Sequence, residues 1–137
     1  MAVDADGLGA GVFDRLIELG HPAGEIRGGK AAIEPEDFVN ARSEWYWNLR
    51  NRFENGEIDI DPNDEVLAKQ LGDIKWKMSS KGQIQVESKD DMRKRGVPSP
   101  DRADALVYAF AYVDLPVVDV ESLAGGSITG DLMTKPW

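Results

Sequence analysis

Asp104 is the residue whose sequence surroundings most strongly suggest chemistry. It is the single charge in the eleven residues from Ala103 to Val113. A helix that is apolar on nearly every side is usually buried, and an ionised carboxylate inside it needs compensation. A salt bridge, with Arg102 or Arg95, and a metal ion are equal alternatives for that compensation.

Asp4 is the second candidate because it ends the first predicted strand, where α/β folds place ligand sites. Its alternative role is that of a turn residue whose side chain caps the next backbone amides. Together, Asp4 and Asp104 would form the carboxylate floor of a divalent-metal site. Two-metal nucleases use such carboxylates to hold ions that activate water and stabilise the leaving oxygen.

The composition agrees with an all-carboxylate site. The 137 residues include no cysteine and one histidine, His21, which argues against disulfide scaffolds, zinc fingers, thiol nucleophiles and Ser-His-Asp triads. Carboxylate ligands favour Mg²⁺, Mn²⁺ or Ca²⁺. The sequence contains no apolar run of membrane-helix length and its start does not resemble a signal peptide, so we expect no membrane association. A chain without cysteine suits a reducing cytoplasm.

The net charge of −9 is unevenly distributed. Residues 75–95 contain seven basic and three acidic residues, whereas the rest of the chain is strongly acidic. This basic strip, which includes Lys75, Lys77 and Lys81, is a candidate contact with a phosphate backbone. The alternative is an ordinary solvated hairpin and helix surface.

Hydrophobic periodicity and turn residues predict short strands alternating with helices. A glycine-rich turn is expected over residues 4–11, and a flexible tail over 115–137. The predicted strands are 1–4, about 25–27, 73–78 and 83–87, with an extended piece at 58–60; the predicted helices are 12–19, 35–55, 63–71, 88–96 and 99–113.

The long helix is predicted to begin with Pro35 and to carry an apolar stripe that only Arg42 interrupts. Its aromatic run, residues 45–47, has base stacking as a minor alternative to burial. The last helix is predicted to have Ser99 as its cap and Pro100 at its first position.

The glycine-rich turn is a weak nucleotide-binding signal. Gly7, Gly9 and Gly11 do not have the Gly-x-Gly-x-x-Gly spacing of a dinucleotide fingerprint, and no Walker-type ending follows them. Glycines in such a turn more often serve backbone geometry. A Rossmann-like nucleotide binder is nevertheless retained as an alternative function.

Three strings, in order, carry a resemblance to a known family: VDADGLGAG at residues 3–11, FVNARSEWYWNLRNRFENGEIDI at 38–60, and ESKDDMRKRG followed by SPDRADAL between residues 87 and 106. The chain resembles, over about residues 3–111, the C-terminal nuclease domain of tailed-phage terminase large subunits. The resemblance implies an α/β, ribonuclease H-like fold: a mixed sheet with flanking helices and a β-hairpin. It also implies a Mg²⁺- or Mn²⁺-dependent endonuclease that cuts concatemeric viral DNA during packaging.

The resemblance also assigns roles to individual residues. Asp4 matches the second acidic ligand of the family and Asp104 the third, and both would be catalytic. Asp101, one helical turn before Asp104, is an alternative or accessory metal ligand. Lys89 and Arg95 would contact phosphate or steady the acidic cluster.

The chain departs from the family at its beginning. The first metal-binding aspartate of the family lies on an earlier strand, and only residues 1–3 precede Asp4. We therefore expect a partial nuclease domain over residues 1–114, with weak metal affinity and little activity of its own. The intact system would act on double-stranded DNA with an ATPase domain, a small terminase subunit and a portal, in the cytoplasm of a phage-infected or lysogenic bacterium. A non-catalytic remnant or packaging-associated interaction module is an equal alternative.

Overall fold

The computed structural model describes residues 2–5 and 9–111. In this part the chain folds as α/β, with its strands in a parallel pair and an antiparallel pair. The elements, in chain order, are β1 (Ala2–Asp4), α1 (Gly9–Glu18), β2 (Gly24–Ile26), α2 (Ala41–Glu54), α3 (Glu65–Asp73), β3 (Trp76–Met78), β4 (Ile84–Val86), α4 (Lys89–Lys94) and α5 (Asp101–Phe110).

The first unit is a strand, a helix and a parallel strand. β1 pairs with β2 so that Asp4 lies opposite Ile26. α1 begins at Gly9, earlier than the predicted start at Val12, because Gly9 packs directly against the end of β1. A Cβ atom at Gly9 would lie 1.6 Å from the carbonyl oxygen of Asp4. α1 ends before Gly20, as predicted, and Gly20 has the positive φ of 74° that this position requires.

The long helix begins six residues later than predicted. Asn40 caps α2 by accepting a hydrogen bond from the Ser43 amide, and Pro35 lies in a preceding turn. The residues between them pair with the hairpin instead: Phe38 bridges to Ile84. Two hydrogen bonds, Ile84 N–H to Asp37 O at 2.7 Å and Val39 N–H to Ile84 O at 3.1 Å, hold this segment extended. The predicted helical start at Pro35 is therefore wrong.

The hydrophobic core lies where α2 and α5 meet the hairpin and α3. β3 and β4 form the predicted antiparallel hairpin, whose turn includes Gly82. Ser88 caps α4 and Asp64 caps α3, both through side-chain hydrogen bonds. Residues 58–60 form no strand. The buried cluster comprises Tyr46, Leu49, Val86, Ala103 and Val107.

The last helix differs from its prediction at both ends. Pro100 occupies the cap position, and Ser99 donates a hydrogen bond to Asp101 Oδ1 at 2.6 Å without capping the backbone. α5 ends at Phe110 because Ala111 is extended, with ψ of 138°. The predicted end at Val113 and the predicted tail over 115–137 lie outside the described residues. Within the described ranges, no helix is long and apolar enough to cross a membrane.

Candidate metal centre

Asp104 is buried and bound on one side by two residues of α2. Its side chain is 5% exposed, and its Oδ1 atom accepts hydrogen bonds from Arg42 Nη1 and from the Tyr46 hydroxyl, both at 2.7 Å. The carboxylate thus has a salt bridge, one of the two alternatives that its sequence position left open. The partners differ from those predicted, because Arg102 pairs with Asp64 at 2.7 Å and Arg95 pairs with Glu87.

Lys89 approaches the other oxygen of Asp104. Its Nζ atom lies 2.9 Å from Asp104 Oδ2, and its side chain is 39% exposed. Lys89 thus pairs with Oδ2, whereas Arg42 and Tyr46 bind Oδ1. Asp104 therefore has one firmly held oxygen and one that faces only a partly exposed cation.

The electrostatic balance keeps Asp104 ionised. Burial alone would raise the pKa of Asp104, but the charge of Arg42 and the close approach of Lys89 and the Tyr46 hydroxyl outweigh it and lower the pKa. Burial raises the pKa of Tyr46, and the neighbouring Asp104 raises it further. Tyr46 is accordingly a protonated hydroxyl that donates to a carboxylate.

Asp4 is connected to the same helix through Tyr108. Asp4 lies at the carboxyl end of β1, and its Oδ2 atom accepts a hydrogen bond from the Tyr108 hydroxyl at 3.1 Å. Tyr108 follows Asp104 by one helical turn, so both side chains project from one side of α5. Burial raises the pKa of Tyr108, with additional contributions from Asp104 and Asp4. The structure therefore brings Asp4 to the face of α5 that carries Asp104.

Asp101 is exposed and makes its hydrogen bond with Ser99. Across residues 2–5 and 9–111, no three acidic or histidine side chains come together as a metal-binding group. The structure thus does not assemble Asp4, Asp101 and Asp104 into one cluster of three carboxylates, and their roles as ligands stay predictions.

Arg42, Tyr46 and Tyr108 were not predicted from the sequence as site residues. Arg42 could have been identified from the sequence, because it alone interrupts the apolar stripe of its helix. Asp104 interrupts the apolar surface of α5 in the same way. Two buried opposite charges on facing helices are expected to pair. The tyrosines gave no such signal, since aromatic residues at these positions are equally suited to the core.

The donor chemistry fits Mg²⁺ or Mn²⁺, but the charge balance limits the affinity. Carboxylate oxygens are the ligands that these hard cations prefer, and the Oδ2 atom of Asp104 is paired with Lys89, whose side chain is partly exposed. Arg42 and Lys89, however, both already pair with Asp104. A divalent cation at this carboxylate would therefore meet two positive charges.

The basic strip is divided between paired and unpaired side chains. Lys89, Arg93, Lys94 and Arg95 each form an ion pair with an acidic residue. Lys75, Lys77 and Lys81 are exposed and have no ion pair with any described residue. The positive charge that no salt bridge occupies therefore lies on the hairpin, although Lys75 interacts electrostatically with Asp73 and Glu87.

The aromatic run of α2 is used mainly in packing. Tyr46 is buried, and Trp45 meets Tyr108 edge-to-face with ring centroids 6.2 Å apart. Trp47 packs against Trp76 of β3 with ring centroids 4.8 Å apart, and the side chain of Trp76 is half exposed. The structure thus gives all three rings intramolecular contacts.

Comparison of the fold with solved structures gives the class: a terminase nuclease-like domain with a ribonuclease H-like fold. The chain is similar to the nuclease domain of the large terminase subunit gp2 of bacterial virus Sf6, at 25% sequence identity and a TM-score of 0.64. Lysine-to-alanine variants of that domain, solved with manganese and with calcium, match with a TM-score of 0.63. Each comparison covers 77% of this chain, which spans 62% of the Sf6 domain. No protein-family model and no curated protein matches the sequence.

Proposed function

We propose that this chain forms part of a metal-dependent DNA endonuclease domain of the terminase type, which cuts DNA during phage genome packaging. The observation that most directly supports this proposal is the Tyr108 hydrogen bond, which joins Asp4 at the end of β1 to the helix that contains Asp104. Carboxylates at the carboxyl end of a parallel strand, facing a helix, suit a divalent-cation site. The likeness to the Sf6 nuclease domain supports this proposal.

Asp4 and Asp104 would hold Mg²⁺ or Mn²⁺, with Asp101 as an accessory ligand. A bound ion of this kind supplies activated water and stabilises the leaving oxygen in phosphodiester hydrolysis. Arg42 keeps Asp104 ionised and holds its Oδ1 atom in place. Lys89, whose side chain is partly exposed beside Asp104, would contact phosphate.

The hairpin would bind the backbone of double-stranded DNA. Lys75, Lys77 and Lys81 are exposed and form no salt bridge with a described residue, although Lys75 interacts electrostatically with Asp73 and Glu87. Arg95 lies at the end of α4 and would be a further phosphate contact. Phosphate contacts of this kind position DNA without reading its sequence. The partners would be an ATPase domain, a small terminase subunit and a portal, in the cytoplasm of a phage-infected or lysogenic bacterium.

Nicking of supercoiled plasmid in Mn²⁺ tests the proposal. The wild-type chain should nick slowly and only with added metal, and Asp4→Asn and Asp104→Asn should each lower the rate by about 10-fold or more. Asp59→Asn, an exposed aspartate outside the site, is the control. Circular dichroism establishes that each variant is folded. Metal-dependent nicking that survives both site substitutions would overturn the assignment.

A non-catalytic packaging module is the second candidate, because Arg42 and Lys89 both pair with Asp104 and the described residues supply no group of three metal-binding side chains. Such a module would keep the fold and bind partners without hydrolysis. The same assay separates the two functions, since the module would neither bind Mn²⁺ tightly nor nick the plasmid.

A further inference from the structure

Two buried phenols contact the two candidate acids in the same way. The Tyr46 hydroxyl donates to Asp104 Oδ1 at 2.7 Å, and the Tyr108 hydroxyl donates to Asp4 Oδ2 at 3.1 Å. Each phenol thus engages one oxygen of one carboxylate. A hydroxyl donor that touches one oxygen restricts rotation of the whole carboxylate group.

The packing makes both phenols suitable as fixed donors. Tyr46 is 7% exposed and belongs to the core cluster, and the ring of Tyr108 packs edge-to-face against Trp45. A ring held in this way places its hydroxyl within narrow limits.

Neutral donors have an advantage over cations at a metal site. Arg42 also holds Asp104 Oδ1, but its charge opposes a divalent cation nearby. A phenol orients a carboxylate without adding positive charge. Tyr108 has a second effect, because its hydrogen bond links α5, which carries Asp104, to the end of β1, which carries Asp4.

We infer that Tyr46 and Tyr108 are positioning residues, which hold Asp104 and Asp4 in the orientation that one shared divalent cation requires. The inference rests on the proposed function for the cation. The two hydroxyls would act on the carboxylates and would not contact the substrate. The orienting effect itself exists before any cation binds, which allows it to be measured separately.

Tyr46→Phe and Tyr108→Phe remove one hydroxyl each and keep the ring packing. In the metal-free chain, NMR scalar couplings to the side-chain carboxyl carbon report the χ1 rotamer of each aspartate. We expect a single rotamer for Asp4 and Asp104 in the wild type, and increased averaging at Asp4 in Tyr108→Phe and at Asp104 in Tyr46→Phe.

The second measurement is Mn²⁺ affinity by electron paramagnetic resonance. Each Phe variant should bind Mn²⁺ about 10-fold more weakly than wild type. Ser79→Ala is the matched control, since it removes a hydroxyl that is hydrogen-bonded within the hairpin and distant in sequence from the site. It should change neither the couplings nor the affinity. Thermal melting of each variant accounts for any loss of stability.

The outcomes are distinguishable. Unchanged rotamers in both Phe variants would overturn the positioning role, even if Mn²⁺ affinity fell. Rotamer averaging in the Phe variants, together with a wild-type chain that binds no Mn²⁺, would support the positioning of the carboxylates and contradict the proposed metal-dependent function. Averaging with weakened Mn²⁺ binding is the predicted result.

Discussion

At the scale of single residues, the site is organised around the pairing of Asp104 with Arg42. Both side chains are largely buried, at 5% and 12% exposure, and they come from helices far apart in sequence. Breaking a buried ion pair on one side leaves an uncompensated charge, which is much more destabilising than loss of a surface pair. The stability of the domain should therefore depend on Arg42.

Arg42→Met should lower the free energy of unfolding by about 3 kcal/mol, because Asp104 would keep only the partly exposed Lys89 as a cationic partner. Urea denaturation measures the change. Arg50→Met is the matched control on the same helix, since Arg50 forms an exposed pair with Glu54 and its loss should cost under about 0.5 kcal/mol. Equal effects of the two substitutions would contradict the importance of the buried pair.

Asp104 should also contribute to acid sensitivity. Its pKa in the folded chain is lowered from the ordinary 3.8, so the unfolded chain binds this proton more readily. The stabilisation is complete above about pH 5 and is lost as the pH falls through the lowered folded value. The stability advantage of wild type over Asp104→Asn should therefore shrink as the pH falls from about 6 to about 2, measured by urea midpoints. A constant difference across this range would contradict the assignment.

At the scale of elements, local sequence signals predicted what local contacts determine. The hairpin, the Ser88 cap of α4 and the Gly20 end of α1 are as predicted, because each depends on neighbours a few residues away. The start of α2 differs from its prediction, since Phe38 pairs with Ile84 on a strand distant in sequence. The Arg42–Asp104 pairing was missed for the same reason. Propensity alone cannot report which distant partner a segment finds.

The junction of β1 and α1 gives a sharp test at this scale. Gly9→Ala should destabilise the domain by about 2 kcal/mol or more, because the new Cβ would lie 1.6 Å from the Asp4 carbonyl oxygen and α1 would have to move. Gly11→Ala, in the same helix, meets nothing within 4 Å and should stabilise it by about 0.5 kcal/mol. Denaturation curves of the two variants check the opposite signs. A similar effect of both substitutions would contradict the packing of Gly9 on β1.

The hairpin lysines can be tested by the salt dependence of DNA binding. Replacing Lys75, Lys77 and Lys81 with glutamine should reduce the slope of log affinity against log salt by about one for each phosphate that the hairpin no longer neutralises. Arg15→Gln, on α1 and paired with Glu18, is the control and should leave the slope unchanged. Fluorescence anisotropy with duplex DNA measures the slopes. An unchanged slope in the triple variant would place the DNA elsewhere.

At the scale of the whole molecule, an acidic chain of net charge −9 carries a basic hairpin and a buried aspartate, Asp104, that two cations flank. Its fold is that of a terminase nuclease domain, although it spans 62% of the Sf6 domain that it matches. The sequence motifs predicted this class because they include the strand end and the helix that carry the candidate acids. They did not predict the internal cations, which only the packed structure reveals.

The central claim, that Asp4 and Asp104 share a divalent cation, is tested most directly by anomalous diffraction from crystals of the chain grown with Mn²⁺. The predicted result is a manganese peak in contact with both carboxylates, with Lys89 displaced from Asp104 Oδ2. No peak between the two aspartates at saturating Mn²⁺, with the Lys89–Asp104 pair intact, would contradict the claim.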